Sequence, residues 1–293
     1  MPKIKSKIIA VVGPTASGKS EFAVKLAKKI GGEIISADSR QVYTHLNIGS
    51  GKVPGRWRMA DGRRQFIYKG IAHHCIDFVS PRKKFTVAEF KQCAERAITT
   101  IYRSGKIPIL VGGTGFYIRA VVDGVAFPPV PPNEKLRRAL EKKSTEELFA
   151  MLKKKDSHRV KTIEQKNKRR LIRALEIVAS LGRVPKPRAV TKYDAKLIGI
   201  RRAPEELKKR VEKRISEMVK RGLVRETRKL KALGLSWKRI YELGFEYRLP
   251  ALYVQKKISK EELREQLIRE SLRYARRQML WWKRDRRIQW ISP

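Results

Sequence analysis

The chain has 293 residues, 41% of them hydrophobic, enough for a core in one large domain or two modest ones. Its 70 Lys and Arg against 28 Asp and Glu leave a formal net charge of +42, which repels itself unless it meets a polyanion, so nucleic acid is the leading partner. No stretch approaches the roughly 18 apolar residues of a membrane span, and the only cysteines, Cys75 and Cys93, lie far apart with no CxxC, arguing against a disulfide scaffold and a zinc site. A reduced, cytoplasmic setting is therefore expected.

The N-terminal MPKIKSK leads into only five apolar residues, 8–12. That run is too short for a signal peptide and reads as a buried strand, KIIAVVG. SEFAVKLAKKI follows as a helix, with Phe22, Leu26 and Ile30 at four-residue spacing. GGEIISAD is the next strand. TVAEFKQCAERAITTIYRSG reads as a capped helix ending at Gly105, with Phe90, Ala94, Ala97 and Ile101 on one face. IPILVGGTG is a further strand. Strands alternating with helices of this length predict an α/β fold with a parallel sheet covered on both faces.

After about residue 124 the character changes. VAFPPVPPN carries four prolines and cannot continue regular structure. A basic helical stretch follows, with 14 Lys or Arg against 6 Asp or Glu over residues 133–170. GRVPKPRAV, with two more prolines, closes it, and KLIGIRR reads as a return strand. The predicted domains are 1–119, the first part of the core; 120–196, a basic helical insertion; and 197–293, core completion and C-terminal helices. In PEELKKRVEKRISEMVKRGL, Leu207, Val211, Ile215 and Met218 form an apolar stripe, while Arg210 and Arg214 share another face. The last long helix ends in RYARRQMLWWKRDRR, a cluster of Arg, Lys and Trp. There is no internal repeat.

VVGPTASGKS, residues 11–20, matches G-x-x-x-x-G-K-[ST] through Gly13, Gly18, Lys19 and Ser20, and it sits between a strand and a helix. Such a loop turns backbone N–H groups inward and adds the positive end of a helix dipole. Lys19 supplies a cation to the outer phosphates and Ser20 can ligate Mg²⁺. ATPases and GTPases also carry an acid at the end of a later apolar strand. Here that strand ends in Gly112-Gly113-Thr114, with no carboxylate. Asp38 follows the second strand instead, at the carboxyl edge where α/β sheets bind ligands. It is read either as a turn aspartate or as a base beside the phosphate loop.

GPTASGKS, ISADSRQVYTHLNIGSGK, HHCIDFVSP, VGGTGFYIRAVVDG, RRLIRALEI and RYARRQMLWWKR occur in that order. Together they resemble the tRNA dimethylallyltransferase (isopentenyl-diphosphate:tRNA transferase) family over nearly the whole chain. The resemblance implies a P-loop NTPase-like core with a parallel sheet flanked by helices, plus a helical insertion domain. It implies that Gly13, Pro14, Thr15, Ala16, Ser17, Gly18, Lys19 and Ser20 hold the diphosphate of dimethylallyl diphosphate, which accounts for the absent ATPase parts. The implied reaction moves the allyl group to the exocyclic amine of the adenosine beside the tRNA anticodon, with Mg²⁺ as cofactor, in a cytoplasmic monomer.

By the same resemblance Asp38 is the base that assists the amine, Lys19 neutralises the leaving group and Thr114 lies close to both substrates. Arg210 and Arg214 are candidates for a further cation on the diphosphate. Asp38, Ser39, Arg40 and Gln41 are expected to contact the flipped base and its neighbours, Gln41 through an amide suited to an adenine edge. Arg137, Asn167, Arg169 and Arg170 of the insertion are expected to grip the anticodon loop. Trp281 and Trp282 read either as core packing or as part of an RNA-contacting tail, and His73 and His74 as structural residues with no metal.

Three stretches depart from the family pattern. Lys166 and Asn167 stand where an Asn-Asp pair is usual. RQMLWWKR stands for Arg-Gln-Thr-Trp-Phe-Arg, and GFEYR, residues 244–248, for Gly-Tyr-Arg/Lys-Glu. Competing readings are an isopentenyltransferase of free adenine nucleotides, a P-loop small-molecule kinase, and a non-catalytic RNA-binding protein. The first has no use for a basic insertion, the second lacks its strand-end acid, and the third does not need Lys19, Ser20 and Asp38 together.

Overall fold

The computed structural model describes residues 6–60, 62–186 and 189–292. Pro187, one of the prolines read as closing the insertion, and the first five residues lie outside that set. The chain divides into two units, one running to Gly124 and resuming at Thr191, the other Val125–Val190.

In the first unit, β1 (Ser6–Val12) runs through the phosphate loop into α1 (Lys19–Ile30), then β2 (Gly32–Ser36). There follow β3 (Arg56–Ala60), β4 (Arg63–Tyr68), β5 (Ile71–His74), α2 (Val87–Arg103), β6 (Ile107–Gly112) and α3 (Gly115–Val122). The second unit holds α4 (Glu134–Glu141), α5 (Thr145–Lys155), α6 (Ser157–Val160) and α7 (Lys168–Leu181). The first unit resumes with β7 (Tyr193–Ile200), α8 (Pro204–Lys220), α9 (Leu223–Ala232), α10 (Trp237–Glu242), α11 (Phe245–Val254), α12 (Lys260–Trp282) and β8 (Ile288–Ile291).

Eight strands form one sheet, ordered β3-β4-β5-β2-β6-β1-β7-β8. It is parallel except for β4, which runs antiparallel to both β3 and β5. β1, β2 and β6 are central and covered on both faces, so they appear in sequence as continuous apolar runs. One face packs on Phe90, Ala94 and Ile101 of α2 and on Trp282 of α12, the other on Ala23, Val24 and Ala27 of α1. A capping box between Thr86 and Glu89 starts α2. Val211, Ile215 and Met218 of the predicted α8 stripe pack on Leu223, Leu249, Leu263 and Leu267, while Leu207 is only half-buried.

The boundaries read from sequence fall inside elements of the core: residue 120 lies in α3 and residue 196 in β7. The insertion has its own core of Leu140, Leu148, Leu152, Leu171 and Leu175. The reading of the cysteines is also corrected, because Cys75 and Cys93 form a disulfide across 18 residues. Cys75 follows β5 and packs in the same cluster as Ala94 and Ala97, so the α2 face that buries them brings Cys93 to it.

Candidate active site

Registers fix where the site lies. Val12 pairs with Gly112, and Ser36 with Val111, so Gly13, Asp38 and Thr114 emerge from one edge of three adjacent strands. This is the carboxyl edge, the usual ligand position in open α/β sheets.

The phosphate loop begins at Gly13, whose φ is 147° and where a Cβ would stand 2.5 Å from the Ile200 carbonyl. Only glycine lets β1 turn there against β7. The Ser17 hydroxyl is fully buried and has no hydrogen-bond partner among the described residues, a donor left for an anion. Lys19 donates from Nζ to the Pro14 carbonyl at 3.1 Å. Burial, then the charge of Arg214, pushes the Lys19 ammonium down to about 8 against the opposing pull of Asp38. Not every loop amide is open, because the Thr15 N–H donates to Gln278 Oε1 at 2.8 Å. Gln278 Nε2 in turn donates to the Gly113 carbonyl at 2.9 Å, so this buried α12 side chain ties the loop to the end of β6.

Two arginines of α8 approach the loop differently. Arg210 donates to the Ala16 carbonyl at 2.8 Å and stays substantially exposed. Arg214 sits deeper, under the opposing fields of Glu246 and Asp38, with burial lowering its pKa. Gly51, with φ 59°, passes so close to the Arg214 guanidinium that a Cβ would meet Nη2 at 2.2 Å. Arg202, at the end of β7, donates to the Ser17 carbonyl at 3.3 Å and pairs with Glu206.

Asp38 shapes a turn, as one reading of it expects. Oδ1 accepts the N–H of Arg40 at 2.8 Å and of Gln41 at 3.3 Å, shaping the turn. Its second oxygen makes no hydrogen bond among the described residues. Thr114 Oγ1 accepts the Ser39 N–H at 3.2 Å, which leaves the hydroxyl proton to donate. Arg40 and Glu246 both lie over Gly244, where a Cβ would stand 3.3 Å from Arg40 Nε and 2.9 Å from Glu246 Oε2. Burial pushes the Glu246 carboxyl up to about 7, with Arg40 and Arg214 opposing and Asp38 reinforcing the shift. Tyr117 and Tyr274 stand within the field of Asp38, and burial raises both phenols.

Gln41 departs from its expected role. Its Oε1 accepts from Ser36 Oγ at 3.0 Å, and its Nε2 donates to the Gly51 carbonyl at 3.3 Å, so the amide holds a loop instead of facing open space. Glu226 of α9 fastens the same loop, accepting from the N–H groups of Asn47, Ile48 and Gly49 and from the Tyr247 hydroxyl.

In the insertion, Arg137 is committed internally. It makes a bidentate pair with buried Glu176, at 2.9 Å from Nε and 2.8 Å from Nη2. Asn167 caps α7, accepting the Arg170 N–H at 3.2 Å, and its amide donates to Glu164. Arg169 and Arg170 are exposed, Arg170 beside Glu164 at 3.2 Å. The exposed pair can meet an anion; Arg137 and Asn167 build the fold that presents it.

The tryptophans divide. Trp282 is core, 1% exposed, whereas Trp281 is 38% exposed with the Arg119 guanidinium 6.0 Å from its ring. His74 Nε2 lies 2.7 Å from Glu33, and burial lowers His73 to about 4, so both are structural. Among the described residues no cluster of three or more His, Cys, Asp or Glu could hold a metal. A hard cation here would rest on the Ser20 hydroxyl and on oxygens of a bound phosphate ligand, which suits Mg²⁺. Gln278, Arg202, Glu226 and Glu246 received no role from sequence; the GFEYR departure was the one signal that pointed toward Glu246.

The chain is similar to known proteins in sequence and in fold. The family model described as IPP transferase matches residues 41–285. A tRNA dimethylallyltransferase of Syntrophomonas wolfei is 36% identical over 98% of this chain and 91% of its own. One of Anoxybacillus flavithermus is 37% identical over 98% and 90%. Among solved structures, the full-length tRNA isopentenylpyrophosphate transferase of Bacillus halodurans aligns with a TM-score of 0.71 at 34% identity, covering 98% of this chain and 90% of that one. A eukaryotic dimethylallyltransferase acting on tRNA aligns with a TM-score of 0.79 at 26% identity, covering 94% and 69%.

Proposed function

Since the chain belongs to the IPP transferase family, we propose that it transfers the dimethylallyl group of dimethylallyl diphosphate to the exocyclic amine of the adenosine immediately 3′ of the tRNA anticodon, releasing diphosphate. The observation that carries this reading is the pairing of a complete phosphate loop with Asp38, instead of an acid at the end of β6. An ATP-cleaving site needs that acid to organise its metal. A prenyl transferase needs anion binding on one side and a base on the other.

The diphosphate sits on the free loop amides, the Ser17 hydroxyl and Lys19, with Arg210 and Arg214 adding charge. These groups stabilise the negative charge that grows as the allylic C–O bond breaks. The Ser20 hydroxyl, with the diphosphate oxygens, would hold Mg²⁺, which would supply further neutralisation of the leaving group. The adenine amine forms the new C–N bond, and its proton passes to the free oxygen of Asp38. Thr114 donates its hydroxyl proton to the acceptor side. Gln41 and Glu226 act at one remove, by holding the loop that carries Gly51 against Arg214.

The target base leaves the anticodon stack to reach Asp38, at a cost of roughly a few kcal/mol that a single-stranded loop keeps low. Arg169 and Arg170 of the insertion bind its phosphates, while Arg137 and Asn167 fix the helix that presents them. The enzyme works as a monomer in the cytoplasm, where tRNA is found. No helix among the described residues is long and apolar enough to cross a membrane.

The test mixes the protein, Mg²⁺, radiolabelled dimethylallyl diphosphate and unmodified tRNA, then identifies the labelled nucleoside after digestion. Label on a tRNA adenosine is expected. Label only on a free adenosine phosphate control assigns the chain to nucleotide-prenylating relatives, and ATP binding without label returns the loop to ordinary nucleotide use.

A further inference from the structure

The β3–β4 hairpin concentrates charge that the active site does not use. Arg56, Arg58, Arg63 and Arg64 are all exposed. None of the four enters an ion pair among the described residues. Apart from Asp61, which lies outside the described residues, the hairpin carries no acid, whereas helices elsewhere interleave Glu with Lys and Arg, as Glu206 does beside Arg202 and Arg210.

Pairing sorts its faces. Arg56 pairs with Ile67, Arg58 with Gln65 and Ala60 with Arg63, which puts Arg56, Arg58 and Arg63 on one face. Arg64 is on the other face, over the Trp57 ring at 5.1 Å. The hairpin is anchored, not a loose arm. Trp57 Nε1 donates to Asp77 Oδ2 at 2.9 Å, and Asp77 is itself paired with buried Lys52 at 2.5 Å. Phe66 is 3% exposed and meets Trp57 edge-on at 5.7 Å.

Strand register then relates the hairpin to the site. Trp57 pairs with Phe66, Phe66 with His73, and His73 with Ile34. Ala60 is three residues past Trp57, and Ala37 is three past Ile34. The Ala60–Arg63 end of the hairpin thus comes level, in register, with the residue before Asp38. Three inter-strand spacings separate the two lines, about 14 Å. An RNA loop that delivers a base to Asp38 carries its own phosphates past this edge.

We propose that the β3–β4 hairpin is a second phosphate-binding surface for the RNA substrate, with Arg56, Arg58 and Arg63, which share one face, gripping the backbone of the anticodon arm beside the adenosine site. The proposal rests on the function proposed above and adds a contact made by the core unit itself. Its contribution is electrostatic and independent of base sequence.

The test compares wild type with Arg56→Gln/Arg58→Gln/Arg63→Gln, binding an anticodon stem-loop RNA across a salt series, with full-length tRNA kinetics alongside. The Gln triple is expected to weaken binding by about tenfold or more at low salt and to flatten the log Kd against log salt slope by about 2–3. kcat at saturating tRNA and KM for dimethylallyl diphosphate stay unchanged. The corresponding Arg→Lys triple keeps the slope. A second triple, Lys257→Gln/Lys260→Gln/Arg264→Gln, removes the same charge at and just before the start of α12, its helical members about 20–30 Å along the helix from Gln278, and has little effect. A Gln triple with wild-type affinity and slope, or a loss matched by the α12 triple, overturns the hairpin assignment while wild-type prenylation of tRNA stands. A wild-type chain with no activity on tRNA overturns both readings.

Discussion

Gln278 and Thr15 are 263 residues apart, yet the side-chain carbonyl of the first accepts the backbone N–H of the second at 2.8 Å. The other end of the same amide holds the Gly113 carbonyl. The phosphate loop is thereby fixed to the turn that carries Thr114. Gln278→Leu preserves volume and removes both bonds. It is expected to lower kcat by about 10²-fold through misplacement of the reacting groups, while Kd for tRNA holds. Loss of two buried hydrogen bonds lowers stability by about 2 kcal/mol. Steady-state kinetics beside chemical denaturation separate the two effects; a kcat equal to wild type removes the positioning role.

Asp38→Asn keeps an oxygen for the Arg40 and Gln41 N–H groups but cannot take a proton. Turnover should fall by about 10²–10⁴-fold, with dimethylallyl diphosphate affinity nearly unchanged. Asp38→Ala loses the turn as well and should do no better. If Asp38→Asn weakened binding alone, the proton would be going elsewhere.

Lys19→Met should weaken dimethylallyl diphosphate binding and leave tRNA binding intact. Burial and Arg214 hold the free ammonium near about 8. Its charge is therefore present below that pH and lost above it. Diphosphate affinity of the wild type should fall as pH rises from 7 to 9.5, and Lys19→Met should lack that descent. Calorimetric titration with inorganic diphosphate reads both.

Glu246 makes the opposite kind of contribution to stability. Its folded-state pKa, about 7, lies above the carboxylate reference of 4.5. Between those values the folded chain binds more protons than the unfolded one, so stability from this group falls as pH rises through the window. Glu246→Gln removes the penalty. Its Tm should exceed that of wild type by a few °C at pH 8, and the difference should shrink toward pH 5. A pH-independent difference would place the cause in packing.

Local sequence exposes the parts whose chemistry is contiguous. The phosphate loop, Asp38 and Thr114 each follow an apolar strand, and parallel pairing brings three strand ends together. Parts assembled from distant segments were opaque. Nothing near Gln278 announces Thr15. Arg137 looks like any surface arginine until Glu176, 39 residues later, is folded under it. Trp281 and Trp282 are neighbours in sequence, and only helix phase on the sheet sends one into the core. The β3–β4 hairpin escaped because its arginines hide the period-two pattern, with Phe66 the one fully buried position across the two strands. The disulfide escaped because spacing in sequence is no guide to which loop a helix face will meet.

The carboxylate of Glu226, with three successive amides pointed at it, has a consequence beyond fastening a loop. Three converging N–H groups make a concavity that attracts oxyanions. In a protein of charge +42 proposed to seat a diphosphate and an RNA strand, an open concavity of that kind, a few residues before Gly51 and its Arg214 contact, would be a decoy. Glu226 occupies it with a tethered anion of the chain's own, and so the phosphate loop keeps no rival there.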